Sequence, residues 1–329
     1  MKVTILKEAE IRSCVAMDAD ALAVVAEAFT RLAEGKVSLP PIIRVDVEDQ
    51  HGEVDVKTAY IQGFDHFAIK VASGFLDNPS LGLPYGSGMM LVMSAKTGFL
   101  EAVLLDNGFL TDLRTGIAGG IAAKYLVRER IETAGVIGSG FQARYQIRGL
   151  KLVRDFKKIM VYGILADEVE RYAKEMEKEM GVEVVICSHP AEVVRGSDFV
   201  STTTPSRQPI VKAEWLHPGL HITAIGADAE HKQELDADVF GRADRIVCDR
   251  KSQCFRLGEL HHALEAGVIS EGDLIDELGD LTSGRRPGRQ NDREITVCDL
   301  TGVGVQDTAI ALLTYERALK RGLGLNIQV

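Results

Sequence analysis

The chain lacks the features of several large protein classes. No apolar run of its 329 residues reaches the roughly 18 positions of a membrane span, and the N-terminal residues 1–6 are not followed by the apolar region and cleavage site of a signal peptide. The five cysteines are scattered without CxxC spacing, which predicts neither a disulfide framework nor a zinc site. A formal net charge of -10 argues against a nucleic-acid or membrane surface. We therefore expect a cytoplasmic protein that binds neither nucleic acid nor a membrane.

The histidines also lack ligand spacing with acids or cysteines, so no metal is predicted. What the sequence does have is 46% apolar and 26% charged residues, typical of a globular protein. A length of 329 residues exceeds what one hydrophobic core usually serves. Two domains are expected.

Residues 1–114 predict an α+β domain with an antiparallel sheet. A first amphipathic helix has Val25 and Phe29 on one face, Asp18 as its N-cap and Gly35 after its last turn. Strands are predicted at 42–47, 54–61, 67–73, 89–94 and 99–105, with a hairpin turn at 49–52. Residues 306–321 predict a final helix, so that the segment 306–329 joins this domain.

Residues 115–305 alternate between strand and helix patterns. A helix capped by Thr111 and ending near 126 leads into them. Strands are predicted at 133–137, 158–162, 183–186, 198–201, 221–225, 245–248 and 295–299. The pattern predicts an α/β domain with a Rossmann-type doubly wound parallel sheet.

A Gly-rich turn follows the first of these strands. It matches GxGxxA between a strand and a helix, the context in which the motif binds a dinucleotide. The glycines allow a tight turn and a close backbone approach to a pyrophosphate at the helix N-terminus. The predicted cofactor contacts here are Gly138, Ser139, Gly140, Phe141 and Gln142.

The end of the second strand, Val161-Tyr162, is followed by neither an acid nor an arginine. An acid there favours the free 2′-hydroxyl of NAD, and an arginine favours the 2′-phosphate of NADP. The sequence favours NAD and leaves NADP open. Thr202 and Thr203, after another strand, offer hydroxyls to the nucleotide, although an ordinary polar loop explains them nearly as well.

Several motifs together resemble the ornithine cyclodeaminase and mu-crystallin family, over nearly the whole chain. They are Phe67-Ala68-Ile69-Lys70, Leu113-Arg114-Thr115-Gly116, the Gly138 turn, Gly226-Ala227-Asp228 and Asp299-Leu300-Thr301-Gly302-Val303-Gly304-Val305-Gln306-Asp307. The segments 52–60 and 105–112 are most similar to the ectoine-utilisation branch. The resemblance implies a homodimer formed through the sheets of the first domain.

The resemblance also implies hydride exchange at the α-carbon of a small amino or imino acid, by reduction, oxidation or cyclodeamination. Its carboxylate-binding cations map onto Arg44, Lys70 and Arg114, and bidentate arginine suits that task. A surface ion pair is the ordinary role of such cations. Lys70 lies in an apolar run, however, where burying it requires a partner or ligand.

Asp228 follows an apolar strand, and the family's acid/base residue maps onto it. Removing a proton from an amine nitrogen needs one such group, whereas a loop-capping role is the alternative. We predict Asp228 and Lys70 as the catalytic residues. The resemblance extends the cofactor contacts to Arg114, Thr115, Asp228, Lys232, Thr301 and Gly302.

The sequence departs from ornithine cyclodeaminases where they have Glu-Leu-Met-Pro, because this chain has Asp55-Val56-Lys57-Thr58. We predict Asp55 and Lys57 as substrate contacts. Lys57 against a second carboxylate favours a dicarboxylic imino acid or a shorter diamino acid. An outward-facing Lys57 is the alternative.

Two other functions remain open at this stage. A mu-crystallin-like protein would bind NAD(P)H and a ligand without turnover. A 2-hydroxy acid dehydrogenase would need a well-placed base, usually histidine, and none is found.

Overall fold

The computed structural model describes residues 2–328 and divides into two compact units, residues 1–115 with 303–329 (unit 1) and Gly116–Gly302 (unit 2). The strands are β1 (Lys2–Lys7), β2 (Val37–Ser38), β3 (Ile43–Val47), β4 (Gly52–Ile61), β5 (His66–Phe75), β6 (Gly86–Ser94), β7 (Leu100–Leu105), β8 (Thr133–Ile137), β9 (Lys158–Tyr162), β10 (Glu183–Ile186), β11 (Phe199–Thr202), β12 (Arg207–Val211), β13 (His221–Ala224), β14 (Gln233–Leu235), β15 (Arg245–Cys248), β16 (Asp276–Glu277), β17 (Thr296–Asp299) and β18 (Leu325–Gln328). The α-helices are α1 (Glu8–Cys14), α2 (Ala19–Ala33), α3 (Phe109–Leu126), α4 (Phe141–Lys151), α5 (Ala166–Met180), α6 (Pro190–Gly196), α7 (Asp238–Arg242), α8 (Lys251–Leu257), α9 (Glu259–Glu265), α10 (Leu278–Thr282) and α11 (Gly304–Lys320).

Unit 1 is built on a sheet in the order β18-β1-β7-β6-β5-β4-β2, with β3 beside β4. The predicted strands pair antiparallel as expected, and the unpredicted β1 adds one parallel pair, with β7. The sequence analysis missed β1, α1 and β18. Thr4 lies opposite Ala102 on one side and Asn326 on the other, and such distant pairing leaves no local signal.

Helix α11 packs on β4, β5 and α2 of unit 1. The Thr308 hydroxyl donates to Ala59 O at 2.8 Å and accepts from Ala68 N at 3.1 Å. A Cβ added to Gly304 would lie 2.4 Å from Thr58 O, so the helix begins directly against β4. These contacts fix the first turn of α11 over the middle of the sheet.

Two predicted helix caps have different outcomes. Asp18 caps α2 as predicted, because its carboxylate accepts from Ala21 N at 2.8 Å. Thr111, however, lies inside α3, so that prediction is wrong. The start of this helix is stabilised by Asp106, which accepts from Leu110 N at 2.7 Å. Sequence patterns rarely locate a helix end to within two residues.

Unit 2 contains the sheet β10-β9-β8-β11-β13-β17-β15-β16, in which every described pair is parallel. All five residues of β8 are buried, as are all four of β11, β13 and β17, because helices cover a doubly wound sheet on both faces. The predicted Rossmann-type fold is confirmed. The carboxyl ends of β8, β11, β13 and β17 lie side by side, which is where such sheets bind ligands.

The five cysteines are buried free thiols. Within residues 2–328, no helix is long and apolar enough to cross a membrane.

Candidate active site

The Gly-rich turn connects β8 to α4 at the carboxyl edge of the unit 2 sheet. Gly138 has a φ of 110°, which side-chain-bearing residues rarely adopt. Gly140 is the N-cap of α4, where no side chain caps the first N–H groups, and a Cβ there would meet nothing within 4 Å. Phe141, the first residue of α4, is 71% exposed. Uncapped N–H donors and open space at a helix N-terminus fit a pyrophosphate.

The two predicted threonines at the end of β11 have different roles. Thr203 borders the Gly turn, since its backbone N donates to Ile137 O at 2.9 Å and its hydroxyl would lie 2.5 Å from a Cβ on Gly138. Thr202 is fully buried, and its hydroxyl donates to Glu234 Oε2 at 2.7 Å. Thr203 is therefore the better candidate for contact with a nucleotide.

Asp228 lies after β13, next to β11 at the same edge. Its carboxylate is 41% exposed and accepts from Lys232 Nζ at 2.6 Å. The Lys232 ammonium is 13% exposed. The structure thus brings together a solvent-accessible carboxylate and a cation that orients it, as a group that exchanges protons with a substrate requires.

Thr301 and Gly302 follow β17 at this edge. Asp249 accepts from Gly302 N at 2.6 Å and from the Thr301 hydroxyl at 3.1 Å. Gln253 Nε2 donates to the same hydroxyl at 2.8 Å. These bonds fix both predicted cofactor contacts near the ends of the neighbouring strands.

The end of β9, where a ribose-binding acid is expected, presents apolar side chains. Ile164 is 87% exposed and Leu165 is 61% exposed. Arg144 and Arg148 of the adjacent α4 both form ion pairs with glutamates of α5. Neither arginine is available to a 2′-phosphate, and this arrangement favours NAD over NADP.

Unit 1 buries three of the predicted residues, which are cations. Lys57 is 6% exposed, Lys70 is 2% and Arg114 is 5%. Asp307, in the first turn of α11, bridges two of them: Lys70 Nζ lies 3.1 Å from its Oδ2, and Arg114 Nε lies 2.9 Å from its Oδ1. Lys57 lies directly opposite Lys70 in the pairing of β4 with β5.

The buried charges of this cluster shift one another's pKa values. Burial and the charge of Arg114 lower the pKa of Lys70 to about 7. Burial opposes ionisation of Asp307, but Lys70 and Arg114 outweigh it and hold the pKa of this carboxyl below its usual value. Burial raises the pKa of Asp106, the other buried acid that interacts with Lys70. Lys57, Lys70 and Arg114 therefore place three buried cations near one another, and such a cluster suits an anionic ligand.

Gln306 and Asp307 were not among the predicted site residues, although both lie in the motif at 299–307 that carries the family resemblance. Gln306 Oε1 accepts from Arg114 Nη1 at 2.7 Å. Its Nε2 is buried without a hydrogen-bond partner in the described part of the chain. The helical spacing could have identified Asp307. It lies three residues before Ile310 and so falls on the apolar, buried face of the helix.

Arg44 does not join the ion pairs of Asp307. Arg44 lies on β3, directly opposite Asp55 on β4, and carboxylates surround its guanidinium. Its partners are Asp46, Glu53 and Asp55. Its charge is thus balanced by these three carboxylates.

A small group of possible metal ligands lies on α9. Ligand atoms of His261, His262 and Glu265 approach within 4.8 Å of one another. His262 Nε2, however, contacts Lys232 O at 2.8 Å, and His261 Nδ1 contacts Phe255 O at 3.3 Å. Both rings therefore have structural partners, and we assign no metal to them.

The parallel sheet of unit 2, with an open helix N-terminus after its Gly-rich turn, defines a dinucleotide-binding protein of the Rossmann type. More particularly, the chain belongs to the ornithine cyclodeaminase/mu-crystallin family, whose profile matches residues 1–322. The predicted family and fold class are confirmed.

Individual relatives agree with this assignment. A putative dehydrogenase of Rhizobium meliloti is 48% identical over 317 residues, which are 96% of each chain. An archaeal alanine dehydrogenase dimer with bound NAD has a TM-score of 0.92 at 37% identity, covering 100% of this chain and 99% of that one. The Thermococcus litoralis Delta(1)-pyrroline-2-carboxylate reductase, in complex with NADH and L-proline, has a TM-score of 0.94 at 32% identity, covering 99% and 100%.

Proposed function

We propose that this protein is an NAD-dependent oxidoreductase that exchanges hydride at the C–N bond of a small α-imino or α-amino acid. The predictions of an enzyme and of NAD as its cofactor are confirmed at the level of the family. The relatives named above are dehydrogenases and a reductase, which does not favour a ligand-binding protein without turnover.

The three buried cations Lys57, Lys70 and Arg114 carry the proposal. The carboxylate of the substrate binds to Lys57, Lys70 and Arg114, and Gln306 Nε2 supplies a further donor. Asp307 holds Lys70 and Arg114 in fixed positions through ion pairs at 3.1 and 2.9 Å. Such preorganisation orients the α-carbon of the substrate.

On the cofactor side, the N-terminus of α4 binds the pyrophosphate, and Thr203, Thr301 and Gly302 border the nucleotide. The nicotinamide supplies or accepts the hydride. Asp228 takes the proton that leaves the amine nitrogen, or returns it in the direction of reduction, while Lys232 orients its carboxylate.

The direct test is NADH oxidation, followed by loss of absorbance of the reduced nicotinamide. One assay contains a cyclic imino acid such as Δ1-pyrroline-2-carboxylate, and a second contains pyruvate with ammonia. We expect turnover in at least one. Tight NADH binding without turnover of either compound, or of amino acids with NAD, would refute the enzymatic proposal.

Gly138→Ala is expected to raise the Kd for NADH about tenfold or more, because a side chain at positive φ costs about 1–2 kcal/mol and the new Cβ displaces the turn. That Cβ would lie 2.5 Å from the Thr203 hydroxyl. Fluorescence titration measures the affinity. Gly181→Ala is the control, since Gly181 has a φ of 67° at the end of α5 with nothing within 4 Å of its Cβ position. Equal affinities in both variants would contradict this role of the turn.

Cyclodeamination, a lyase reaction of diamino acids, and a role in ectoine utilisation are finer proposals. The resemblance of segments 52–60 and 105–112 supports them, as do the carboxylates around Arg44, which suit a distal ammonium group. Incubation with NAD and diaminobutyrate or ornithine, followed by ammonia release, tests both. No ammonia from either compound would leave simple reduction as the reaction.

We also propose a homodimer. Unit 1 exposes several large apolar side chains on β3, on β6 and in the segment between β5 and β6, and exposed apolar surface of this kind often marks a protein–protein interface. They are Ile43, Val45, Leu76, Leu81, Leu83, Tyr85 and Met89. Light scattering coupled to size-exclusion chromatography should give twice the chain mass of 35.8 kDa, and a single-chain mass at micromolar concentration would rule the dimer out. A cytoplasmic location is our further proposal, because the five free thiols fit a reducing compartment.

A further inference from the structure

Glu234, on β14, is a completely buried carboxylate that the proposed reaction does not use. It accepts four hydrogen bonds: from Thr202 Oγ1 at 2.7 Å, Gly226 N at 2.8 Å, Thr204 N at 2.5 Å and Thr204 Oγ1 at 2.8 Å. No ion pair in residues 2–328 includes it. Burying a carboxylate without a cation is unfavourable unless several donors compensate.

These donors come from two different segments at the carboxyl edge. Thr202 ends β11 and Thr204 follows it, whereas Gly226 follows β13, the adjacent parallel strand. Glu234 Oε1 binds only the first segment, whereas Oε2 binds both. The carboxylate therefore sets the separation between the two loops at the cofactor-binding edge.

The bond from Gly226 also closes the segment 226–234 into a loop, and this loop presents Asp228 and Lys232. A Cβ on Gly226 would lie 2.1 Å from Thr204 O and 2.6 Å from the Glu234 carboxyl carbon. There is accordingly no room for the loop to approach β11 more closely. The Gly226 backbone therefore packs directly against both Thr204 and Glu234.

A second buried carboxylate fixes Glu234 itself. Glu259 accepts from Glu234 N at 2.7 Å and from Leu235 N at 3.0 Å. Burial, with the charges of Glu234 and Asp299, raises the pKa of Glu259 well above its usual value. Burial raises the pKa of Glu234 too, against the opposing effect of its donors. Two carboxyl groups are thus held out of water to shape these loops.

We infer that Glu234 is a positioning residue, which holds the Asp228 loop in register with the Thr202–Thr204 loop so that proton transfer and NAD binding share one geometry. The inference rests on the proposed function. It assigns Glu234 no contact with the substrate or cofactor, because its oxygens are fully used by the two loops.

Glu234→Gln keeps the size of the side chain but turns one acceptor oxygen into an NH₂ donor facing other donors. We expect kcat to fall about 10²-fold, the effect of small misplacements in active sites, and the Kd for NADH to rise. In an Asp228→Asn background, the same change should lower kcat far less, because a residue that acts through Asp228 is not additive with it.

Asp198→Asn is the matched control. Asp198 accepts from Glu132 N at 2.6 Å and from Thr133 N at 3.0 Å, at the amino end of β11. This variant should lower the unfolding temperature and leave kcat and NADH affinity unchanged. Glu234→Gln with unchanged kcat and NADH affinity, or with a full kcat loss in the Asp228→Asn background, would overturn the inference.

The inference can still be tested if the wild type has no activity or if Glu234→Gln does not fold. If the wild type binds NADH but turns over no substrate, the proposed function fails, and NADH affinity alone then decides the inference. If Glu234→Gln does not fold, Thr204→Val removes one donor of the set while keeping the backbone bond. Thr204→Val should lower both kcat and NADH affinity, as Glu234→Gln does. Unchanged values of both would overturn the inference.

Discussion

Asp228→Asn is expected to lower kcat for imino acid reduction by about 10²- to 10⁴-fold, the usual contribution of general acid–base catalysis. An amide cannot exchange the proton that hydride transfer at a C–N bond requires. Its carbonyl oxygen still accepts from Lys232, now 2.6 Å from the carboxylate, so the loop keeps its shape. Steady-state kinetics gives kcat, and fluorescence titration should give an NADH affinity close to that of the wild type.

The control for Asp228→Asn is the same change at Asp238, which is exposed in the first turn of α7. It removes one negative charge from unit 2 without touching the carboxyl edge of the sheet, and it should leave kcat unchanged. An equal kcat in both variants would remove Asp228 from the chemistry. A loss of NADH affinity alone would make Asp228 a cofactor-binding residue instead.

The parallel sheet of unit 2 was predictable because its strands are short buried apolar runs between helix patterns. The bounds predicted for β8, β9, β10 and β15 match those of the structure. The pairing of β1 with β7 and β18 was not predictable, since it depends on residues almost 100 and more than 300 positions apart. A sequence pattern indicates which side chains of a strand are buried. Which strand it pairs with depends on the tertiary fold.

The candidate site shows the same division. A buried Lys70 needs a partner, and the apolar run around it indicated this need without naming the partner. That partner is Asp307, which is brought to Lys70 by the contacts of α11 with β4 and β5. Glu234 was not predicted for a related reason. Its hydrogen-bond donors lie up to 32 residues away in the sequence, so no local pattern indicates them.

Lys70→Gln is expected to lower kcat/KM for an anionic imino acid by about 10- to 150-fold at pH 6, since a hydrogen bond to a charged group contributes about 1.5–3 kcal/mol. Arg114 still neutralises Asp307 at 2.9 Å, so the variant should fold. NADH affinity should not change, because Lys70 is proposed to bind the carboxylate of the substrate and not the cofactor. Lys96→Gln, at an exposed lysine between β6 and β7, is the control and should resemble the wild type.

The pH dependence separates this role from a structural one. The pKa of Lys70 is lowered by burial from 10.5 to about 7, so its positive charge is lost as pH rises above 7. Wild-type kcat/KM should then fall towards that of Lys70→Gln by about tenfold per pH unit. Titration of the substrate affects both enzymes equally, so the ratio of their kcat/KM values isolates Lys70. A ratio that stays constant from pH 6 to pH 9 would contradict this role of Lys70.

Stability should change in the opposite direction over the same range. Between about pH 7 and 10.5 the unfolded chain binds the Lys70 proton and the folded chain does not. The free energy of unfolding of the wild type therefore rises relative to Lys70→Gln, by up to about 1.4 kcal/mol per pH unit. Unfolding midpoints at pH 7, 8 and 9 measure this difference. Activity that falls while the protein becomes more stable cannot be caused by unfolding, which leaves loss of the Lys70 charge as the cause.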